Sequence, residues 1–323
     1  MSNIEWTGST WNPILGCSKI SAGCRNCYAI NQSFRNWKMA EGLPENKRGR
    51  LAYYEGLTKG FDDWTGKLVF VPEALEIPLK RKKPETYFVN SMSDMFHDNV
   101  EDEWLDLIFA VMALTPQHTY QILTKRPERM KKYFADLEGR RKTIAKLIVT
   151  PGSLIYDLSF RIKNKHLFGL PLPNVWLGVS VENQKAANER IPLLLRIPAA
   201  IRFLSCEPLL EFVDLTKCGN DDYLVNALNG NESYGITRRK GIYSGIDWVI
   251  VGGESGRGAR DCEVEWLEEI SEQCLAADVS IFVKQLGSKP IGIDIKLSDK
   301  KGGNFDQFPE SLQFRQTPKQ LGI

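Results

Sequence analysis

At 323 residues, with 42% hydrophobic and 25% charged side chains, the chain is long enough for one large α/β barrel or two smaller domains. A formal charge of +2 excludes an argument for nucleic-acid binding from total charge. No apolar run approaches the length of a membrane span, and the opening "MSNIEWTGST" has neither the basic start nor the apolar core of an export signal. The expectation is therefore a cytoplasmic protein with no membrane partner.

In chain order, "NPILG" (12–16) reads as a short first strand, followed at once by the cysteine-rich "GCSKISAGCRNCYA" (16–29). Residues 28–66 are aromatic and polar without a clean period, and read as an insertion at a loop end. "TYFVN" (86–90), "TYQIL" (119–123), "VWLGVSV" (175–181), "IRFLS" (201–205), "DWVIVGG" (247–253) and "SIFVKQ" (280–285) are continuous apolar runs rich in Val, Ile and aromatics. Such runs suit parallel strands covered on both faces. Between them, "DEWLDLIFAVMAL" (102–114) predicts a helix with Asp102 as N-cap and Thr115-Pro116 as its stop. "EVEWLEEISEQCLAA" (263–277) predicts another, with Trp266, Ile270 and Cys274 four apart on one face. Residues 215–245, rich in Gly, Asn and charge, read as a second insertion, and the chain from 287 to 323 as a tail whose aromatics pack on the body. Strands alternating with helices give a parallel sheet with right-handed crossovers. The expected fold is α/β, a partial or complete (β/α) barrel within a single domain spanning 1–286, with an open doubly wound sheet as the second choice.

Polar residues follow nearly every strand. After the first long run stand Ser91, Ser93, Asp94 and His97; after the next, Thr124, Lys125 and Arg126. Ser180, Glu182 and Asn183 follow the third, Cys206 and Glu207 the fourth, and Glu254 the fifth. Any one of these alone would read as a cap or turn residue. Repetition across five strand ends argues instead for a site at the C-terminal edge of the sheet, where barrels and open sheets alike bind ligands. Basic residues cluster in "KRKKP" (80–84), "TKRPERMKK" (124–132), "GRRK" (139–142) and "TRRK" (237–240), runs that solvated faces commonly carry. They leave a nucleic acid or nucleotide as the guess for a substrate.

Cys17, Cys24 and Cys27 lie within eleven residues. Seven cysteines in a chain without an export signal point to metal binding or thiol chemistry rather than disulfides. Structural zinc takes four ligands, and here His97 or Cys206 would have to supply the fourth. A [4Fe–4S] cluster held by three thiolates instead leaves one iron open. Such an iron can chelate the amino and carboxylate groups of S-adenosylmethionine (SAM), the arrangement of radical SAM enzymes. Of the other cysteines, Cys206 at its strand end is a candidate hydrogen-atom donor, although a small buried strand residue is the plainer reading. Cys274 belongs to a helical core stripe, and Cys218 and Cys262 have no motif around them.

The blocks "TWNPILGCSKISAGCRNCYA", "FVNSMSDMFH", "LTKRPERM", "PNVWLGVSVENQ", "RFLSCEPLL", "IDWVIVGGESG" and "FVKQLG" resemble, in order, a bacteriophage and bacterial family of unknown function. That family is grouped with radical SAM proteins and is distantly similar to spore photoproduct lyase. Residues 136–172 look longer than the family usually carries. The resemblance implies a cluster on Cys17, Cys24 and Cys27, although six and two intervening residues depart from the usual radical SAM spacing and leave zinc open. It implies that Ser91, Ser93 and Asp94 receive the SAM amino group and that Lys125 or Arg126 pairs its carboxylate. Ser180, Glu182 or Asn183 would meet the ribose, and Glu254 the adenine or substrate. An external electron donor is implied, and a partner protein with its own three-cysteine motif is conceivable. The alternative is a phage-derived binding or interaction module whose zinc or iron–sulfur site does no catalysis.

Overall fold

A computed structural model describes residues 4–159, 169–234 and 237–318. All six long apolar runs form strands, because β-branched and aromatic side chains fill a pleated surface buried on both faces. Counting the short strand that precedes them, they are β1 (Ser9–Trp11), β2 (Thr86–Val89), β3 (Thr119–Thr124), β4 (Val175–Ser180), β5 (Ile201–Cys206), β6 (Trp248–Gly252) and β7 (Ser280–Gln285). They form one seven-stranded sheet in that order. The registers Ser9↔Tyr87, Thr86↔Thr119, Trp248↔Phe203 and Trp248↔Ser280 are all parallel. Spatial order follows chain order without reversal, which is barrel connectivity rather than the doubly wound kind, and β1 and β7 stand at the two ends of the sheet order. The protein is an α/β partial barrel.

The first strand is not where "NPILG" placed it. Pro13 has no N–H to give a parallel ladder. The chain leaves the sheet after Trp11, and Ile14–Leu15 pairs antiparallel with Val69–Phe70 instead.

The chain falls into two compact units, Met1–Trp176 with Pro198–Ala200, and Leu177–Ile197 with Ile201–Ile323. In the first, Trp11 is fully buried against Tyr120, ring centroids 5.4 Å apart, and its Nε1 donates to the Ala74 carbonyl at 2.8 Å. Residues 28–66 open with a helix, α1 (Tyr28–Glu41), that starts directly after Cys27. α2 (Asp102–Leu114) is buried almost throughout from Leu105 onward, as a helix apolar on all sides must be. Asp102 is its first residue rather than its cap. Glu101 holds the cap position, and the Asp102 carboxylate is occupied by Arg129 at 2.5 Å and by Arg140. Thr115 does end the helix, its hydroxyl donating to the Val111 carbonyl at 2.6 Å. α3 (Pro127–Tyr133) follows β3, and α4 (Leu137–Val149) with the short helix Leu154–Leu158 fills the described part of 136–172; residues 160–168 of that stretch lie outside the described residues.

In the second unit every residue of β5 and β6 is buried. α5 (Gln184–Leu195) and α6 (Val264–Ala276) flank them in sequence. The buried side of α6 is Val264, Leu267, Ile270, Ser271 and Cys274, so Ile270 and Cys274 are core while Trp266 is only half-buried. Residues 215–245 build a separate four-stranded antiparallel sheet, Cys218–Asn220, Tyr223–Val225, Glu232–Tyr234 and Thr237–Arg239. Beyond 287 the chain returns to β7, where Val283 donates to the Phe314 carbonyl and Arg315 lies over Phe305. Among the described residues no helix is long and apolar enough to cross a membrane.

Candidate functional site

The first unit brings the cysteine segment to the C-terminal ends of β2 and β3 through a chain of backbone ties. Asn12, just past β1, accepts from the Ser91 hydroxyl and the Met92 amide, both at 3.1 Å. Asn90, just past β2, sits at φ +58°, a left-handed conformation that asparagine tolerates better than most residues. Its amide donates to the Trp11 carbonyl at 2.7 Å and its Oδ1 accepts from Ile14 at 3.2 Å. Gly16 then donates to the Met92 carbonyl and bridges Ser93. At φ +89°, with the Lys67 carbonyl 2.1 Å from where a Cβ would stand, position 16 admits only glycine. The chain therefore enters Cys17 from a fixed point.

Cys17, Cys24 and Cys27 are all half-buried, whereas Cys206, Cys218, Cys262 and Cys274 are buried. Burial pushes the Cys17 thiol up to about 12, with Asp94 adding to the shift and Arg126 opposing it. Burial likewise raises Cys27, opposed by the amides of Ala29 and Ile30 at the start of α1 and by Lys125. Cys27 adds to the shift at Cys17, and Cys24 adds to the shift at Cys27.

Behind the thiols lies a buried ionic network. The Asp94 Oδ1 accepts from the Phe96 amide at 3.0 Å and the Thr124 hydroxyl at 2.7 Å; its Oδ2 accepts from the Lys125 amide at 3.0 Å and Arg126 Nη1 at 3.3 Å. Four donors fill a carboxylate. Asp94, expected to receive the SAM amino group, is instead the residue that fixes Arg126. Arg126 in turn donates through Nη2 to the Ser18 carbonyl at 3.3 Å and the Ser18 hydroxyl at 2.8 Å, and its Nε lies 3.5 Å from Asp98. Burial works against its charge, but Asp94, Cys17 and Asp98 hold the guanidinium above its usual value. The pair Lys125 and Arg126 thus divides: Arg126 is committed to the protein, while the half-buried Lys125 ammonium has no ion-pair or hydrogen-bond partner among the described residues.

His97 is no free metal ligand. Its Nδ1 accepts from the Asn99 amide at 3.1 Å, which leaves the proton on Nε2, 2.8 Å from the Ser18 hydroxyl. Burial, then Arg126, lowers its pKa, so the ring is neutral and both nitrogens are engaged. Coordination through Nε2 would break the contact with Ser18. Ser18 itself gave no signal in the sequence beyond standing next to Cys17. Its importance comes only from Arg126 and His97 meeting on one hydroxyl. Ser91 and Ser93 remain half-buried on the turn after β2.

The other expected contacts belong to the second unit and are largely engaged there. Glu182 is buried and takes Arg190 at 2.7 and 3.3 Å; the Ser180 carbonyl accepts from the same arginine at 2.9 Å. Asn183 caps α5, its Oδ1 accepting from Ala186 at 2.8 Å. Glu254 is buried and paired with Arg260 at 2.7 and 2.8 Å. Cys206 is fully buried at the last position of β5, so its thiol faces core rather than the expected rim. Burial first, then Cys274, Cys218 and Glu182, push its pKa well above the usual thiol value.

A family model described as a protein of unknown function, DUF5131, matches residues 1–309. The chain belongs to that family. The match takes in the cysteine segment and every strand of the main sheet. No curated protein and no solved structure matches the chain.

As a donor set, the site offers three thiols and, among the described residues, no ready fourth ligand. Two sulfurs on one zinc lie within about 4 Å of each other, since each Zn–S bond is about 2.3 Å. Among the described residues no three His, Cys, Asp or Glu side chains are grouped to hold a single ion. A four-iron cluster attaches each thiolate to a different iron and so spaces the sulfurs more widely. Three thiols with two cations beside them suit a group that carries negative thiolate and sulfide charge.

Proposed function

We propose that this protein is a radical SAM enzyme that works in a reducing cytoplasm. The observation that carries the reading is the difference in setting among the cysteines: three half-buried thiols share one segment, with Arg126 acting on Cys17 and Lys125 on Cys27, and the remaining four are buried. Cys17, Cys24 and Cys27 would hold a [4Fe–4S] cluster, with the fourth iron left to the amino and carboxylate groups of SAM. With SAM and an external one-electron donor, such a cluster would supply hydrogen-abstracting radical chemistry.

The chain's own residues have distinct parts. Arg126, clamped by Asp94 and Ser18, stabilises negative charge at Cys17. The α1 amides do the same for Cys27, as helix N-termini do for thiolates. Lys125, whose ammonium has no ion-pair or hydrogen-bond partner among the described residues, would pair the SAM carboxylate, and Ser91, whose hydroxyl also donates to Asn12, and Ser93 stand on the neighbouring strand end. His97 holds Ser18, and through it Arg126, in place.

The test is anaerobic purification and reconstitution followed by iron, sulfide and nucleoside analysis. The reading requires roughly four iron and four sulfide per chain, and 5′-deoxyadenosine when reduced protein meets SAM. Stoichiometric zinc without iron overturns it. Iron without any cleavage of SAM would leave a binding module in its place.

A further inference from the structure

We propose that the outer strands of the four-stranded sheet in the second unit bind single-stranded nucleic acid. This surface lies outside the cysteine site and does not depend on the cluster.

Registers Tyr223↔Tyr234, Tyr234↔Thr237 and Glu232↔Arg239, with side chains alternating every second residue, put Tyr223, Glu232, Tyr234 and Arg239 on one face. Tyr223 and Tyr234 lie with ring centroids 4.9 Å apart. Arg196, at the end of α5, stacks over Tyr223 at 5.1 Å, and Arg239 over Tyr234 at 5.6 Å. Tyr234 is 42% exposed, and every residue of Thr237–Arg239, together with Lys240, is exposed. Asp221 and Asp222 close the first hairpin, beyond Tyr223, so the cationic part of the sheet is its outer edge.

A charged edge strand can serve only to keep the edge from pairing with another chain. That accounts for Arg238 and Arg239 but not for two further features. Tyr234 presents a large exposed ring beside them. Glu232 is 4% exposed, and its Oε2 has no hydrogen-bond partner among the described residues; its Oε1 is 3.8 Å from Arg239. A buried carboxylate oxygen without a donor is costly. A single strand answers all three features at once. Its phosphates suit Arg239, on that face, and the exposed Lys240 just past the strand, a base face suits Tyr234, and an exocyclic amino group suits the free oxygen of Glu232. A duplex hides its base faces, and an acidic protein would meet the arginines while leaving Tyr234 and Glu232 unexplained.

Fluorescence anisotropy with labelled oligo(dC) and oligo(dT) tests this on the full chain, with no cluster required, so failure here is separable from failure of the radical SAM reading. Binding at low salt should weaken steeply as salt rises, about 0.7 of a log unit per log unit of salt for each phosphate contact. Arg239→Ala with Lys240→Ala should lose at least about tenfold in affinity and flatten that slope, and Tyr234→Ala should lose about tenfold. Lys131→Ala with Lys132→Ala, an exposed pair in the first unit, should bind as the wild type does. Oligo(dC), which carries an amino group that oligo(dT) lacks, should bind more tightly, and Glu232→Gln should shrink that preference without changing the salt slope. Far-UV circular dichroism establishes that each variant is folded. Absence of binding at low salt, or wild-type affinity in the folded arginine–lysine and tyrosine variants, overturns the proposal; equal affinity for the two oligomers overturns the role of Glu232.

Discussion

The cysteines of the two units have the same chemistry and opposite surroundings. Burial raises the pKa of Cys17 and Cys27 much as it does those of Cys206, Cys218, Cys262 and Cys274. The difference lies in what opposes the burial. At Cys17 Asp94 disfavours the thiolate and Arg126 favours it, while at Cys27 the α1 amides and Lys125 favour it. In the second unit the charges acting on the thiols are Glu182 at Cys206, Asp214 at Cys218 and Glu263 at Cys262, and each disfavours it. A metal binds thiolate, not thiol.

The sharpest way to break this comparison is to remove thiols from each side of it. Cys17→Ala, Cys24→Ala or Cys27→Ala should each abolish iron retention after anaerobic reconstitution. Cys218→Ala and Cys274→Ala should retain full iron and lose about 1–2 kcal/mol of stability in urea, as small buried truncations do. Loss of iron from either of the latter would erase the distinction between the units. Next in size is Asp94→Ala. It strands the Arg126 guanidinium without its buried carboxylate, and such losses cost about 3–5 kcal/mol. A urea midpoint within error of wild type would show that the network does not hold Arg126.

Lys125→Ala separates ligand binding from cluster binding. Lys125 is only half-buried, so its loss should weaken SAM binding by about tenfold in equilibrium dialysis, less than for a fully buried charge partner. Iron content should stay the same, and unchanged SAM affinity removes Lys125 from the site. Cys206→Ala should cost about 1 kcal/mol and leave both iron and product identity alone, because the thiol is wholly enclosed in core. A diverted product would restore it as a hydrogen donor.

The smallest effect is on pH dependence. His118 is buried and its pKa is lowered, by burial first, against the pull of its bonds to the Pro78 and Arg81 carbonyls. Above the unfolded value of 6.5 the ring is neutral in both states and contributes no slope. As pH falls below 6.5 the unfolded chain takes the proton first, so stability drops until the folded pKa is passed. The slope from one histidine is at most about 1.4 kcal/mol per pH unit. Urea midpoints should fall from pH 7 to pH 5.5, less so in His118→Gln; an identical slope in that variant would count against a neutral buried ring.

What could be read in the sequence was whatever is periodic and local. Six strands were legible because a strand covered on both faces needs an unbroken apolar run, and α2 because its run is too long for a strand. β1 was missed: three residues, "STW", carry no pattern, and the stronger-looking "NPILG" beside it is barred from the ladder by Pro13. α1 was missed because it buries only Ala29, Ile30, Ser33 and Ala40, too few for a clear stripe.

The three cysteines, and the presence of Asp94, Lys125 and Arg126 at strand ends, were determined by the sequence alone, since spacing along a chain needs no fold. Which of those charged groups is committed and which is open was decided only by tertiary structure. Asp94 and Arg126 are 32 positions apart yet share a hydrogen bond, and Ser18 and His97 are 79 apart yet meet at 2.8 Å. A carboxylate has a fixed number of acceptor positions, and only the fold determines which donors arrive to fill them.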